Sequence, residues 1–81
     1  MEEIDFTELE QVNTFSRMEL MKEKTRELIR HVSANAKPDD RSMHKAMEEF
    51  DLLAMDWVYS DRLDWEGSLP DKQAKKIMAH V

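Results

Sequence analysis

Residues 42–65 read SMHKAMEEFDLLAMDWVYSDRLDW, and this stretch decides the predicted fold. On a helix of about 3.6 residues per turn, its apolar residues fall on two sides. The broad first side comprises Met43, Ala46, Met47, Phe50, Leu53, Ala54, Trp57 and Val58. The second side, in the latter half only, comprises Leu52, Met55, Tyr59 and Leu63. A helix that is apolar on two sides needs two packing partners, so we expect it to be the central helix of the fold.

The composition favours a small all-α protein. The 81 residues include one Gly and two Pro, too few for a turn-rich β architecture. The absence of Cys excludes disulfides and thiolate sites. No apolar run approaches the roughly 20 residues of a membrane span, and the acidic start MEEIDFTELE does not resemble a signal peptide. We therefore expect a single helical domain in the cytoplasm.

The first helix is predicted over residues 7–34. A Thr-x-x-Glu capping box begins at Thr7, and a similar box begins at Ser16, where the apolar pattern rotates. The chain could therefore form one kinked helix or two helices that meet near residues 13–16. Because residues 13–16 contain neither Pro nor Gly, we expect one continuous helix.

Two further helices are predicted. Pro38 disfavours a helical residue before it, so the second helix is placed at residues 40–64. Gly67 is a typical helix terminator near the end of this helix. The following sequence, Ser68-Leu-Pro-Asp71, combines an N-cap, an early Pro and an acid, which predicts a short third helix over residues 69–79.

Helices one and two are predicted to form an antiparallel hairpin. In such a pair, the residue numbers of facing positions add to a constant total. Five pairs share the total 75: Val32 with Met43, Leu28 with Met47, Thr25 with Phe50, Met21 with Ala54, and Met18 with Trp57. The next pair, Thr14 with Asp61, is too polar for a core. The apolar residues Leu9, Val12 and Phe15 must therefore be covered by Leu63, Trp65 or the third helix.

The sequence offers little for catalysis or for metal binding. His31 and His44 lie near the predicted turn, with Glu27 and Glu48 four residues away, but these side chains do not all point into the bundle. A Gly-rich phosphate loop and a Ser–His–acid pattern are both absent from the sequence. We therefore expect a protein that is not an enzyme and that uses neither a metal nor another cofactor.

We expect the protein to act through protein–protein contact, as an adaptor, inhibitor or regulatory subunit. Met and aromatic residues are enriched at interfaces, which favours the second apolar side of the central helix. The predicted partner-binding residues are Leu52, Met55, Tyr59 and Leu63, with Asp56 and Arg62 at the rim. A short third helix can cover only part of the apolar surface, so we expect a homodimer, a partner protein, or both.

Two alternative functions depend on charge. The net charge is −6, and residues 48–66 carry seven acids against one Arg. Five of these acids could imitate the phosphates of a nucleic acid and occupy the groove of a DNA- or RNA-binding protein: Asp51, Asp56, Asp61, Asp64 and Glu66. A helical DNA-binding protein is the other alternative, through basic patches on helices one and three. The acidic chain and the Glu residues interleaved with those bases argue against direct nucleic-acid binding.

Overall fold

The computed structural model describes residues 4–35, 37 and 40–80, the last of them by its backbone alone. A short 3-10 helix, Thr7–Gln11, precedes three α-helices: α1, Thr14–Asn35; α2, Arg41–Tyr59; and α3, Leu69–His80. The described residues contain no β-strand, and the all-α fold class with a short third helix is confirmed. Pro38, the predicted helix breaker, lies outside the described residues.

The predicted continuous first helix is wrong, because the chain breaks between the 3-10 helix and α1. Val12 is extended there, with φ −123° and ψ 158°. Asn13 then caps α1, since its Oδ1 accepts a hydrogen bond from the Ser16 backbone N–H at 2.9 Å. Neither predicted capping residue caps a helix. Thr7 is the first residue of the 3-10 helix, and its N–H donates to the Asp5 carboxylate at 2.9 Å, whereas Ser16 lies within α1.

The second helix begins near the predicted residue but ends earlier than predicted. Asp40 caps α2, because its Oδ1 accepts from the backbone N–H groups of Ser42 at 3.1 Å and Met43 at 3.3 Å. The helix ends at Tyr59 rather than at residue 64. Asp61 adopts a left-handed backbone conformation with φ +57°, which cannot continue a right-handed helix. Residues 60–68 therefore form a linker between α2 and α3.

The third helix starts where the sequence predicts it. Ser68 Oγ accepts a hydrogen bond from the Asp71 backbone N–H at 3.3 Å, and the Asp71 carboxylate accepts from the Gly67 N–H at 2.8 Å. Gly67 has φ +81°, a conformation that glycine adopts without steric cost. The start of α3 at Leu69 therefore confirms the predicted signal.

The helices α1 and α2 form the predicted hairpin. Leu28 and Phe50, which belong to the predicted facing positions, are both fully buried. The common total of 75 extends one step further, to Thr14 and Asp61, whose side-chain oxygens are joined by a hydrogen bond of 2.6 Å. This polar pair lies at the end of the hairpin remote from the turn. The third helix packs mainly on α2 and also contacts α1.

An aromatic cluster fills the bundle where the 3-10 helix meets the linker. Phe6 stacks on Trp65 with ring centroids 4.8 Å apart, and Trp65 meets Trp57 edge-on at 5.2 Å. Phe6 also meets Phe50 edge-on at 5.9 Å. Leu9 is fully buried in the same core. Trp65, one of the residues predicted to cover the N-terminal apolar positions, is therefore part of the core.

Two side chains fix the linker to the rest of the bundle. Arg17 is only 3% exposed, and its guanidinium donates to the carbonyl of Leu9 at 2.7 Å and to that of Arg62 at 2.9 Å. The Glu10 carboxylate accepts from the Trp65 backbone N–H at 2.6 Å. We call these bonds of Arg17 and Glu10 the clasp. Charged groups make stronger hydrogen bonds than neutral ones, so the clasp holds three chain segments together.

Candidate interaction face

The structure separates the four apolar residues that the sequence places on one strip. Leu52 and Tyr59, on the outer side of α2, are 72% and 66% exposed, and Met55 is half-buried. Leu63 is 69% exposed but lies in the linker, beyond the end of α2. The predicted continuous helical strip is therefore wrong at Leu63, because the left-handed Asp61 ends the helix.

The two residues predicted at the charged rim are both exposed, with Asp56 on α2 and Arg62 in the linker. The Asp56 carbonyl accepts a hydrogen bond from the Ser60 N–H at 2.9 Å. The Arg62 carbonyl accepts from Arg17 within the clasp. Both residues therefore contribute through their main chain to ending α2 and to fixing the linker.

An open cleft of about 530 Å³ lies between α1 and α2. The third helix packs on the other flank of α2, where the Gln73 side-chain amide donates to the Ala46 carbonyl at 3.1 Å. The lining residues are Thr25, Ile29, Val32 and Ser33 on α1, Met43, His44, Met47, Glu48 and Asp51 on α2, and Lys37 and Asp40 near the turn. The hairpin therefore has one flank covered by α3 and one flank open.

The cleft is lined by short side chains on α1 and by a longer one on α2. Thr25 and Ser33 lie on the α1 side, and Met47 lies on the α2 side. The sequence predicts that Val32, Met43 and Met47 belong to a closed seam between the two helices. Met43 is buried, but Val32 and Met47 are only half-buried and line the cleft. The signal that could have revealed this opening is Thr25, a short polar residue at a facing position of α1.

The cleft continues into one strip along each helix. Residues spaced by three or four positions share a side of a helix. On α1 this strip comprises Phe15, Met18, Lys22, Arg26, Ile29 and Ser33. On α2 it comprises His44, Glu48, Asp51, Met55 and Tyr59. We call the cleft with these two strips the open face. Phe15, for which the sequence predicts a cover, is instead 77% exposed on this face.

The two strips of the open face carry opposite charges. Lys22 and Arg26 lie on α1, whereas Glu48 and Asp51 lie on α2, and all four are exposed. Lys22 Nζ lies 3.4 Å from the Glu19 carboxylate, an exposed ion pair of the kind that contributes little to stability. The open face is therefore apolar along the cleft. We call Lys22 and Arg26 its basic edge, which Glu19 borders, and we call Glu48 and Asp51 its acidic edge.

The histidines near the turn have different environments. His44 lines the cleft and is exposed, whereas Nε2 of His31 is buried and has no hydrogen-bond partner in the described part of the chain. Among the described residues, no group of three or more His, Asp or Glu side chains is placed to hold a metal ion. The arrangement near the turn is therefore an apolar cleft with an imidazole at its edge.

Several charges behind the two nucleic-acid alternatives are engaged in ion pairs. Lys24 is buried, with its Nζ 3.2 Å from the Glu8 carboxylate. Lys75 Nζ lies 3.3 Å from the Asp71 carboxylate. Besides its bond to Thr14, Asp61 lies 3.7 Å from the Arg17 guanidinium. These contacts reduce the charge that α1, α3 and the linker present to a nucleic acid or to its binding protein.

No helix in the described ranges combines the length and the apolar character that crossing a membrane requires. Comparison of the chain with known protein families, with curated proteins and with solved structures finds no match.

Proposed function

We propose that this protein is a small non-catalytic interaction module, an adaptor, inhibitor or regulatory subunit, which binds another protein through its open face. The observation behind this proposal is the apolar cleft of about 530 Å³, continued by exposed Phe15, Ile29 and Tyr59. Contiguous exposed apolar surface is typical of protein-binding sites, because its burial drives association. The cleft can receive side chains, which a flat apolar surface cannot.

The proposed surface overlaps the partner-binding residues predicted from the sequence. Met55 and Tyr59 belong to both, and Leu52 borders the open face as their neighbour on α2. Leu63 lies outside it, in the linker. The α1 strip and the cleft are additions, since they require knowledge of how the two helices pack.

Methionine gives this surface the means to adapt to a partner. Met18, Met47 and Met55 are half-buried and belong to the cleft or to its strips. The unbranched, polarisable Met side chain changes rotamer at low cost and fits apolar surfaces of different shapes. The open face can therefore close over an apolar partner without a change of backbone.

Site-specific photo-cross-linking in living cells that produce the protein tests the proposal. A benzophenone amino acid replaces Tyr59 on the open face or, as the control, Lys72 on the exposed side of α3. We expect a cross-linked polypeptide from position 59 and none from position 72. The further substitution Ile29→Glu should abolish the product. Absence of a product at position 59, or equal products at both positions, would contradict an interaction through the open face.

The exposed acids favour the nucleic-acid mimic as a second proposal. Asp56, Asp64 and Glu66 are exposed on α2 and in the linker. Joint substitution of Asp56→Asn and Asp64→Asn should leave the position-59 cross-link intact if apolar contact dominates. Loss of the cross-link with retained helicity, together with a steep dependence of binding on salt, would instead support the mimic.

A further inference from the structure

We infer that the open face binds a second copy of this chain, with α1 of each copy lying against α2 of the other. This inference depends on the proposed function, since it names the partner of the same surface. It is carried by the charge of the two edges, with Lys22 and Arg26 on α1 and Glu48 and Asp51 on α2. A surface with a basic edge and an acidic edge can be complementary to itself.

The charges select one of two possible arrangements. Two copies can meet face to face about a two-fold axis that runs either along the helices or across them. An axis across the helices would place α1 opposite the α1 of the second copy, and Lys22 and Arg26 would then face further bases. An axis along the helices places α1 opposite the second copy's α2, so that each basic edge meets an acidic edge. Facing like charges disfavour association, so the axis along the helices is selected.

The register of the hairpin then fixes which charges meet. Rotation about an axis along the helices leaves each residue at its own height. In the hairpin, the numbers of facing residues add to 75. Arg26 is therefore level with Glu49, which lies between Glu48 and Asp51 along α2. Arg26 of one copy therefore lies at the height of Glu48 and Asp51 of the other copy. Both edges lie at the rim of the interface, where such pairs affect specificity and association.

The same register brings exposed apolar residues together. Phe15 is level with Ser60, which is adjacent to Tyr59 on α2. Phe15 and Tyr59 are among the most exposed large apolar residues on the two helices. Ile29, which is 48% exposed, is likewise level with Ala46, and Met47 is the next residue along α2. In the dimer, Phe15 and Tyr59 would be buried at the end of the open face remote from the turn. Ile29 and Met47 would be buried nearer to the turn.

The molecule is long enough for an ordinary dimer interface along its hairpin. Its principal extents are 36, 23 and 20 Å, and the open face follows α1 and α2. Each partner contributes about 800 Å² to a standard stable interface. In the resulting dimer, α1 and α2 of the two copies form a four-helix bundle with antiparallel neighbours, and α3 lies on the outside.

Sedimentation equilibrium with charge-reversal variants tests the inference. We expect the unaltered protein to form dimers in the micromolar range. Arg26→Glu places a third acid beside Glu48 and Asp51 of the other copy, so the Kd should rise at least about tenfold. Glu48→Arg alone should also weaken the dimer, and the double variant should restore most of the lost affinity. These side chains are exposed, so each variant should retain its helicity, and circular dichroism checks this.

Lys72→Glu is the matched control, because it makes the same charge change on the exposed side of α3 and should change the Kd by less than about twofold. A tighter dimer for Arg26→Glu would show that α1 faces α1, and would overturn the inference. A protein that stays monomeric at several hundred micromolar would overturn it as well. In that case a cross-link from position 59 to a different polypeptide leaves the proposed function standing, whereas its absence removes both.

Disulfide trapping measures the arrangement directly, because the chain contains no Cys of its own. The variants Phe15→Cys and Tyr59→Cys are purified separately, mixed and oxidised. We expect more of the mixed disulfide, which joins one chain of each variant, than of the disulfides that join two chains of the same variant. The reason is that positions 15 and 59 of different copies lie at the same height. A product dominated by pairs of Phe15→Cys chains would contradict the axis along the helices.

Discussion

The bundle has a closed end, where the aromatic cluster lies, and it uses apolar side chains there and on the open face in opposite ways. At the closed end, Phe6, Trp57 and Trp65 pack ring against ring. On the open face, Phe15 and Tyr59 are of similar character but are mostly exposed. The difference follows from the number of chain segments at each place. The segment before the 3-10 helix, α1, α2 and the linker meet at the closed end, whereas the open face is formed by α1, α2 and residues near their turn.

This contrast separates the residues that stabilise the fold from those that are free to bind. Burial and hydrogen bonds at the closed end contribute to the free energy of unfolding of the single chain. The exposed residues of the open face contribute little to the free energy of unfolding, because they lose little contact with water on folding. Substitutions at the two places should therefore change different measured quantities.

The largest effect is expected at Trp65. Trp65→Ala should lower the free energy of unfolding by about 3–5 kcal/mol, because it leaves a cavity between Phe6 and Trp57. Leu63 lies two residues earlier in the linker, and its side chain is exposed. Leu63→Ala should therefore lower the free energy of unfolding by less than about 0.5 kcal/mol. Urea denaturation of both variants provides the measurement. Similar losses for the two variants would remove the distinction between core and surface within the linker.

The next effect is expected at Arg17 in the clasp. Arg17→Met should lower the free energy of unfolding by about 2–4 kcal/mol, because the buried carbonyl of Leu9 loses a charged donor. Arg17→Lys should recover only part of this, since an ammonium lacks the planar fork of donors. Arg30→Met, at an exposed position of α1, is the control and should change stability by less than about 0.5 kcal/mol. Unchanged stability of Arg17→Met would show that the alkyl chain alone matters at this position.

A smaller effect is expected at Glu10. Glu10→Gln retains the shape of the side chain but replaces a charged acceptor of the Trp65 N–H by a neutral one. The expected loss is about 1 kcal/mol, because Glu10 is exposed and water screens part of the interaction. Amide hydrogen exchange at Trp65 should accelerate at the same time. Unchanged exchange at Trp65 in this variant would argue against the clasp.

A comparable substitution on the open face should behave differently. Ile29→Ser should change the free energy of unfolding, measured at low protein concentration, by less than about 1 kcal/mol. Ile29 is already 48% exposed, so little buried apolar area is lost. Self-association at high concentration should nevertheless weaken markedly. A large loss of stability at low concentration would place Ile29 in the fold rather than in the binding surface.

The smallest effect concerns pH and the start of the 3-10 helix. Hydrogen bonds from the side chain and the backbone N–H of Thr7 lower the pKa of Asp5 below its ordinary value of 3.8. The stabilisation is therefore present above pH 3.8 and is lost as the pH falls through the lower pKa of the folded state. Thr7→Ala should raise the pKa of Asp5 towards 3.8 in an NMR titration. An unchanged pKa in that variant would exclude the Thr7 hydroxyl as its cause.

The sequence predicts the hairpin well because the information is local and periodic. The register of Leu28 and Phe50 follows from helical spacing, and the start of α3 follows from adjacent capping residues. The ends of the other helices depend on distant contacts. Asp61 bonds Thr14, 47 residues away in the sequence, and this contact accompanies the left-handed turn that ends α2. Helical periodicity alone cannot reveal such a turn.

The candidate site could be predicted only in part. Met55 and Tyr59 stand out because they are apolar residues on the outer side of a helix. The cleft is lined by residues of both α1 and α2, so its prediction requires the positions of both helices. The four exposed charges of the two edges form a basic side and an acidic side of one surface only when α1 and α2 lie side by side. The sequence of each helix alone does not show this.

The clasp has a consequence for the order in which the chain folds. Its bonds connect positions far apart in sequence: Glu10 to Trp65 across 55 residues and Arg17 to Arg62 across 45. Closing such long loops is slower than forming a hairpin around a short turn, so α1 and α2 should pair first. We therefore expect the clasp to form after the main folding barrier. Weakening it should therefore accelerate unfolding while leaving the folding rate almost unchanged.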